Sequence, residues 1–404
     1  MTRICRALLL AALPISLAPP ASAQDGTERN VRFSGVPRIG SSDGWSIKPR
    51  GRVQVDTAYV SRPEGVTAAG TGAAIGLRRA QLGVEGTAPN GFSYLFEAEL
   101  AEGIVEITEA TVTWKPSGSL GLTVGQHNNF QALDELTSER FGGFLERAAF
   151  TDAFNFERRL GVSTEITRGP FTAQFGLFGD NFLEIDDDVE PHAIDGRVIY
   201  APQWNGTRLH LAASAHWLDI DNIAATGATI RYRQRPLTNI TDIRFISTRS
   251  LPVENETRYG VEAAVISGPF HAVAEAQWLD ADVAAPNADV SFFGGYAEIG
   301  WFLTGESRGY RGGRWDRTRV RRGGAIEEGG SGAFQINLRY DRLDLDAGGE
   351  QNAYAASFVW IPTDYVRFII NYVRIAYDDA AIPAAGGLRD YTVDVLGARA
   401  QIDF

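Results

Sequence analysis

Residues 259–278 read Tyr-Gly-Val-Glu-Ala-Ala-Val-Ile-Ser-Gly-Pro-Phe-His-Ala-Val-Ala-Glu-Ala-Gln-Trp. Tyr259, Val261, Ala263 and Val265 occupy every second position before Ser267-Gly268-Pro269. Phe270, Ala272, Ala274, Ala276 and Trp278 do so after it. A period of two on both sides of a Gly-Pro turn is a β-hairpin with one apolar face. Glu262, His271, Glu275 and Gln277 fall on the other face. A soluble sandwich would turn the apolar face to a core, and a membrane barrel would turn it to lipid. The rest of the chain decides between these two.

The same unit recurs in both directions. Upstream, Val53, Val55, Thr57 and Tyr59 alternate with polar neighbours, as do Ala80, Leu82 and Val84. Phe92, Tyr94, Phe96, Ala98 and Leu100 follow Pro89-Asn90-Gly91, and Ala110, Val112 and Trp114 precede Lys115-Pro116-Ser117-Gly118. Further alternating runs begin at Leu160, Phe171, Ile194, Leu209, Phe293, Phe334, Tyr354, Val366 and Tyr391. Residues 220–255 are less regular. The count is about sixteen strands, uncertain by two because of that stretch. Short Gly/Pro-marked turns take one set of connections and long polar segments the other. Trp and Tyr sit near the ends of the apolar faces. Both are features of outer-membrane barrels. Phe404 closes a last alternating run of Leu396, Ala398, Ala400 and Ile402. The expected fold is therefore all-β, a transmembrane antiparallel β-barrel of about sixteen strands with long loops folded into the lumen. A soluble β-sandwich or jelly roll is the competing reading.

The chain starts with Arg3 and Arg6, an apolar run from Ala7 to Leu17, and Ala21-Ser22-Ala23. This is the pattern of a secretory signal peptide over 1–23. Residues 24–48 are expected to be a periplasmic N-terminal segment and 49–404 the barrel. Cys5 is the only cysteine and lies in the signal, so no disulfide framework is expected. Removing Arg3 and Arg6 takes the formal charge from -12 to -14. An acidic chain argues against a nucleic-acid partner. The lysines are Lys48 and Lys115, so the basic charge is carried by arginine.

Two stretches break the strand rhythm. Gln131 to Phe156 holds Arg140 and Arg147. Between the runs ending at Leu303 and starting at Ala333, seven arginines fall within fifteen residues: Arg308, Arg311, Arg314, Arg317, Arg319, Arg321 and Arg322. Both stretches are candidates for lumen loops facing each other across a constriction. These nine arginines are the candidate anion pathway, a set of weak sites for a passing ion. The alternative is an outer loop whose arginines pair with Asp316, Glu327 and Glu328 or with lipopolysaccharide phosphates. Arg52, Arg79, Arg197, Arg208, Arg339 and Arg367 fall on the inward face, with Asp56, Glu85, Asp195 and Asp341 as expected partners. His210 and His216 are read as wall residues. Asp186-Asp187-Asp188 is read as a solvated acidic loop. There is no metal-ligand spacing, no P-loop and no GxSxG, so no metal, cofactor or catalytic residue is expected.

Several pieces resemble the phosphate-selective porin O and P family over roughly residues 49–404. They include Leu77-Arg78-Arg79-Ala80-Gln81-Leu82-Gly83-Val84-Glu85-Gly86, Leu122-Thr123-Val124-Gly125-Gln126, Phe144-Leu145-Glu146-Arg147 and Arg159-Leu160-Gly161-Val162. Tyr259-Gly260-Val261-Glu262, Gly268-Pro269-Phe270, Trp301-Phe302-Leu303-Thr304-Gly305-Glu306, Gly332-Ala333-Phe334 and Arg339-Tyr340 with Leu343-Asp344-Leu345 complete them. The resemblance implies a sixteen-stranded, homotrimeric outer-membrane channel. Loops would fold into its lumen, and basic residues would draw small anions, phosphate or phosphorylated solutes among them. The expected partners are small anions, outer-membrane lipid and lipopolysaccharide. Phosphate selectivity in that family is associated with pore lysines, so here arginines would have to do that work. A barrel enzyme and an adhesin or structural barrel with an occluded lumen are the other functional classes.

Overall fold

The computed structural model describes residues 36–101, 103, 105–181, 192–220, 227–321 and 324–404; the expected signal peptide, Asp186–Asp188 and Arg322 lie outside the described residues. Sixteen strands form the wall. They are β1 Ser46–Val60, β2 Gly72–Ala88, β3 Phe92–Glu99, β4 Glu106–Ser117, β5 Leu120–Asn128 and β6 Arg158–Arg168. Next come β7 Phe171–Phe178, β8 His192–Tyr200, β9 Thr207–Asp219, β10 Val253–Ser267 and β11 Phe270–Val283. β12 Val290–Phe302, β13 Ala333–Asp344, β14 Glu350–Thr363, β15 Val366–Asp378 and β16 Tyr391–Asp403 complete the wall. Each strand pairs antiparallel with the next, and β1 pairs with β16 from Arg52↔Asp403 to Val60↔Val395. Closure leaves the wall without a free edge, which a sheet in lipid requires. The first strand starts at Ser46, three residues before the expected boundary. Ile39–Gly40 folds back to pair with it.

The pleat puts opposite chemistry on the two faces. Val261, Ile299, Leu338, Phe358, Ile370 and Leu396 are exposed on the outside. Glu262, Glu298, Arg339, Ser357, Asn371 and Arg399 are buried inside. Aromatic pairs mark both ends of the outer band. Phe270 stacks on Trp301 at 5.5 Å and Phe92 on Trp114 at 6.0 Å near the short turns, while Tyr259 stacks on Trp278 at 5.8 Å near the long loops. Trp301 and Phe293 are eight residues apart on β12, about 26 Å along the strand, close to the height of an outer-membrane apolar band.

The short connections 89–91, 118–119, 169–170, 201–206, 268–269 and 364–365 share one end of the barrel. The segment 303–332, between β12 and β13, belongs to that same end. Short turns face the periplasm in this architecture. The arginine-rich stretch therefore enters from the periplasmic side and not as an outer loop near lipopolysaccharide. Residues 129–157 and 227–252 belong to the opposite end.

Part of the lumen is filled by an apolar cluster. Leu133, Phe144, Ala149, Phe150 and Phe154 of segment 129–157 pack with Tyr232, Phe245 and Ile246 against Leu279, Phe292, Tyr296 and Leu343 of the wall. This is an ordinary apolar core placed inside a barrel. Each fully buried Phe contributes roughly 1.5–3 kcal/mol of transfer free energy. The irregularity is explained by this role: residues 227–252 form an inserted segment with a short strand pair (Arg233–Gln234 with Ile246–Ser247), and the wall resumes at Val253.

Candidate functional site

Wall side chains hold the backbone of segment 129–157 in place. Leu133 N donates to Glu275 Oε2 at 2.7 Å and Asp134 N to Glu275 Oε1 at 2.9 Å. Ala149 N donates to Asp341 Oδ2 at 2.9 Å, and Phe130 N to Asp195 Oδ2 at 2.8 Å. Arg367 Nη1 donates to Gly142 O at 2.6 Å. Several inward carboxylates thus bind backbone rather than the expected arginines. Asp195 also pairs with His216, and Arg197 pairs with Glu262 instead. His210 and His216 are both buried wall residues, as expected.

A β-bulge shapes the wall at β2. Gln54 opposes Arg79 and Val55 opposes Leu77, so Arg78 is the extra residue on β2. A bulge re-aims side chains, and here two successive arginines face the lumen. Arg78 Nη2 donates to Glu139 at 3.1 Å and its Nε to Glu146 at 3.0 Å. Arg79 donates twice to Glu139, at 2.8 and 3.0 Å, and lies 3.5 Å from Glu99. Arg147 approaches Glu139 at 3.4 Å. Arg399 bridges Asp56 at 2.7 Å and Glu146 at 3.3 Å. Burial would raise the Glu139 carboxyl, but the Arg78, Arg79 and Arg147 guanidiniums outweigh it and hold it well below the usual carboxylate range.

The turn-end stretch forms a hairpin, Gly309–Arg311 with Arg314–Asp316, that crosses the lumen as a strap. Gly312 and Gly313 take φ of 57° and 75°, as a two-residue type I′ turn requires. Its tip is fixed to the far wall: Arg197 Nη2 donates to Gly313 O at 2.9 Å, and Tyr310 and His210 are hydrogen-bonded at 2.6 Å. Its root is fixed by Arg317 to Asp403 and by Arg319 to Asp364 at 2.7 Å. Its flank meets segment 129–157, where Trp315 N donates to Thr137 Oγ1 at 3.2 Å and Arg317 lies 5.4 Å from the Phe141 ring centre. The two irregular stretches meet, each arriving from its own end of the barrel.

Between the strap and the β1–β7 wall lies an open slot of about 760 Å³. It runs along β5 from Gly121 to Asn128. Ten arginines and Lys115 line it, against the six carboxylates Glu85, Glu97, Glu109, Glu139, Glu165 and Asp316. Glu85, Glu97 and Glu139 are held by basic partners. Among the described residues, Arg52, Lys115, Arg140, Arg158, Arg311 and Arg314 have no carboxylate at ion-pair distance. Arg52 donates to Gln81, and Arg140 Nε to Ser138 Oγ at 3.1 Å. Arg140 is buried among Arg50 and other cations, and burial first, then Arg50, lowers its pKa.

The candidate arginines divide. Arg140, Arg147, Arg311, Arg314 and Arg317 line the slot. Arg308 does not: it is buried over Trp315, 5.2 Å from the ring centre. Arg319 and Arg321 sit at the turn end, bonded to Asp364 and to Thr304 O. Arg38, Arg50, Arg52, Arg79, Arg158 and Lys115 also line the slot without having been candidates, while Arg78 does not line it and pairs with Glu139 and Glu146. The Arg78-Arg79 dipeptide carried the signal for one of them. With Ala80 facing lipid, strict alternation would send Arg78 into lipid, so a bulge was required.

A family model described as phosphate-selective porin O and P matches residues 47–404. A protein of Caulobacter vibrioides is 44% identical over 400 residues, covering 96% of this chain and 80% of that one. Porin O of Pseudomonas aeruginosa is 25% identical over 403 residues, with 88% of each chain covered. Among solved structures, an anion-selective porin from Comamonas acidovorans superposes with a TM-score of 0.58 at 14% identity, covering 89% of this chain and 100% of that one. OmpT of Vibrio cholerae superposes at 0.56 and 11% identity, covering 91% and 100%.

Proposed function

Because the chain belongs to the phosphate-selective porin O and P family, we propose that it is a passive outer-membrane channel for small anions, which cross along the slot between the strap and the β1–β7 wall. One observation carries this reading: eleven cationic side chains line the slot against six carboxylates, and six of those cations have no ion-pair partner among the described residues. A local excess of unpaired guanidinium sets selectivity, because charge elsewhere on the acidic chain is screened beyond about 8–10 Å. Arg311 and Arg314, at the strap tip, present charge to the passing ion. Arg140, Arg158 and Arg52 continue it along the slot. The paired Arg78 and Arg79 fix the constriction wall. The relatives named for anion selectivity and as Porin O support the same class. Assembly as a homotrimer belongs to the same proposal; a neighbouring structure of OmpT is described as a trimer form.

The test is the reversal potential in planar bilayers under a KCl gradient. Anion selectivity is expected, and an Arg311→Ala/Arg314→Ala variant should lower the chloride-to-potassium permeability ratio by about two- to fivefold. Cation selectivity of the wild type would sink the reading. An occluded structural barrel would give no conductance, which the open slot argues against. A barrel enzyme would call for a Ser/His pair on the outer wall. The Ser163 hydroxyl and His127 Nε2 are hydrogen-bonded at 2.8 Å, but this pair faces the lumen and His127 Nδ1 bonds the Gly125 carbonyl. That is a wall hydrogen bond without a carboxylate behind it.

A further inference from the structure

We infer that the solutes suited to this slot are hydroxylated organic monoanions of about sugar size, such as sugar acids, in preference to compact inorganic anions. The inference rests on the anion-channel reading and specifies its solute. Three observations carry it. First, the arginine pair that would grip a compact anion at the constriction is already occupied. Arg78 and Arg79 both bond Glu139, and Glu146 and Glu99 take the remaining contacts. An entering dianion would have to displace buried carboxylates from charge-assisted bonds.

Second, the free charge of the slot shares its lining with hydrogen-bonding groups as well as with Lys115 and Arg158. Arg311 and Arg314 are register partners at the exposed strap tip. The β4–β6 wall lining the same slot offers Thr111, Thr113, Glu109 and Glu165. Thr113 and Thr123 exchange a hydrogen bond at 2.9 Å, and Glu165 accepts from Gln174 Nε2 at 2.8 Å. Among the described residues Glu109 is in no ion pair. A bare polyanion is repelled by Glu109 and Glu165. A monoanion that carries its own hydroxyl donors satisfies both sides: its charged head meets the two guanidiniums and its hydroxyls donate to the two carboxylates and exchange with the threonines.

Third, the space is of the right size. About 760 Å³ falls within the range of pockets that hold small organic ligands and far exceeds what one tetrahedral anion fills.

The experiment compares two anions of equal carbon number, gluconate and hexanoate, by reversal potential against chloride at pH 8, using the full-length protein in bilayers. Gluconate is expected to be more permeant than hexanoate by about fivefold, although it is bulkier, because it replaces water hydrogen bonds that hexanoate cannot. A Glu109→Ala/Glu165→Ala variant should remove that preference while raising chloride conductance. Glu109→Gln/Glu165→Gln, which still accepts hydrogen bonds, should keep it. Equal or reversed permeability in an anion-selective wild-type channel overturns this inference and leaves the anion-channel reading standing. A channel that prefers potassium to chloride overturns both.

Discussion

Glu139 is the residue on which the constriction turns. It sits on a one-turn helix at Glu139–Phe141 and accepts from three guanidiniums, Arg78, Arg79 and Arg147, while almost wholly buried. Removing one member of such a buried set leaves charges unpaired and costs about 3–5 kcal/mol. Glu139→Gln is therefore expected to lower the stability of the folded barrel by an amount of that order, read from urea unfolding followed by gel migration. The pH behaviour follows from the same contacts. Burial raises the carboxyl, the guanidiniums lower it further, and the net shift is down from 4.5. A depressed carboxyl contributes stability that is complete above its unfolded value and is lost only as pH falls through the lower folded one. Conductance and unfolding temperature should thus show no step attributable to Glu139 between pH 7 and 4.5, and a loss below that. A step near pH 5–6 that disappears in Glu139→Gln would contradict the assignment. The pair Arg78-Arg79 was visible in the sequence, but its partner was not. Nothing local to residue 139 says that the chain will bring it back to β2.

At the scale of the element, the strap shows what length conceals. A thirty-residue insertion between two strands looks like an outer loop, since turns on the other side are two to six residues long. Parity of the strand count says otherwise: it follows β12, so it shares an end with the turns after β2, β4 and β6. The double glycine at its tip was legible as a hairpin turn. The landing site was not, because it depends on β8 and β9, about a hundred residues earlier. At Gly313 an added Cβ would lie 2.4 Å from Ile199 Cδ1. Gly313→Val should therefore strain the turn and push the tip off the wall, loosening the bonds to Arg197 and His210. The expected result is a larger and noisier single-channel conductance with weaker anion selectivity. Unchanged traces would mean that the tip contacts do not set the bore. The expectation of two facing lumen segments came from their departure from period two. The partition of their arginines into slot, core and turn end follows from tertiary pairing that no spacing encodes.

For the whole molecule, alternation, turn chemistry and the aromatic ends were enough to derive the barrel and its sixteen strands. Each strand repeats the same two-sided instruction, so errors in one do not propagate. That residues 227–252 join segment 129–157 in the lumen was hidden, since they carry ordinary core residues that look alike in any fold. Closure also has a readable requirement. Gly51 and Phe404 exchange backbone hydrogen bonds at 3.2 and 3.0 Å, and an added Cβ on Gly51 would meet the Phe404 ring at 2.3 Å. Gly51→Leu is expected to displace the terminal ring and to lower the fraction of protein that runs as a compact, heat-modifiable band after refolding in detergent. A wild-type yield in that assay would show that the ring finds another seat.

The bond between Arg317 and Asp403 ties the strap's root to the strand made last. The partners of the strap's tip, Arg197 and His210, precede it in the chain, but Asp403 comes four strands after it. An incomplete barrel would then be an open one, with a cationic strap loose at its root. The root of the strap is thus fixed at Asp403 only where β16 has closed on β1.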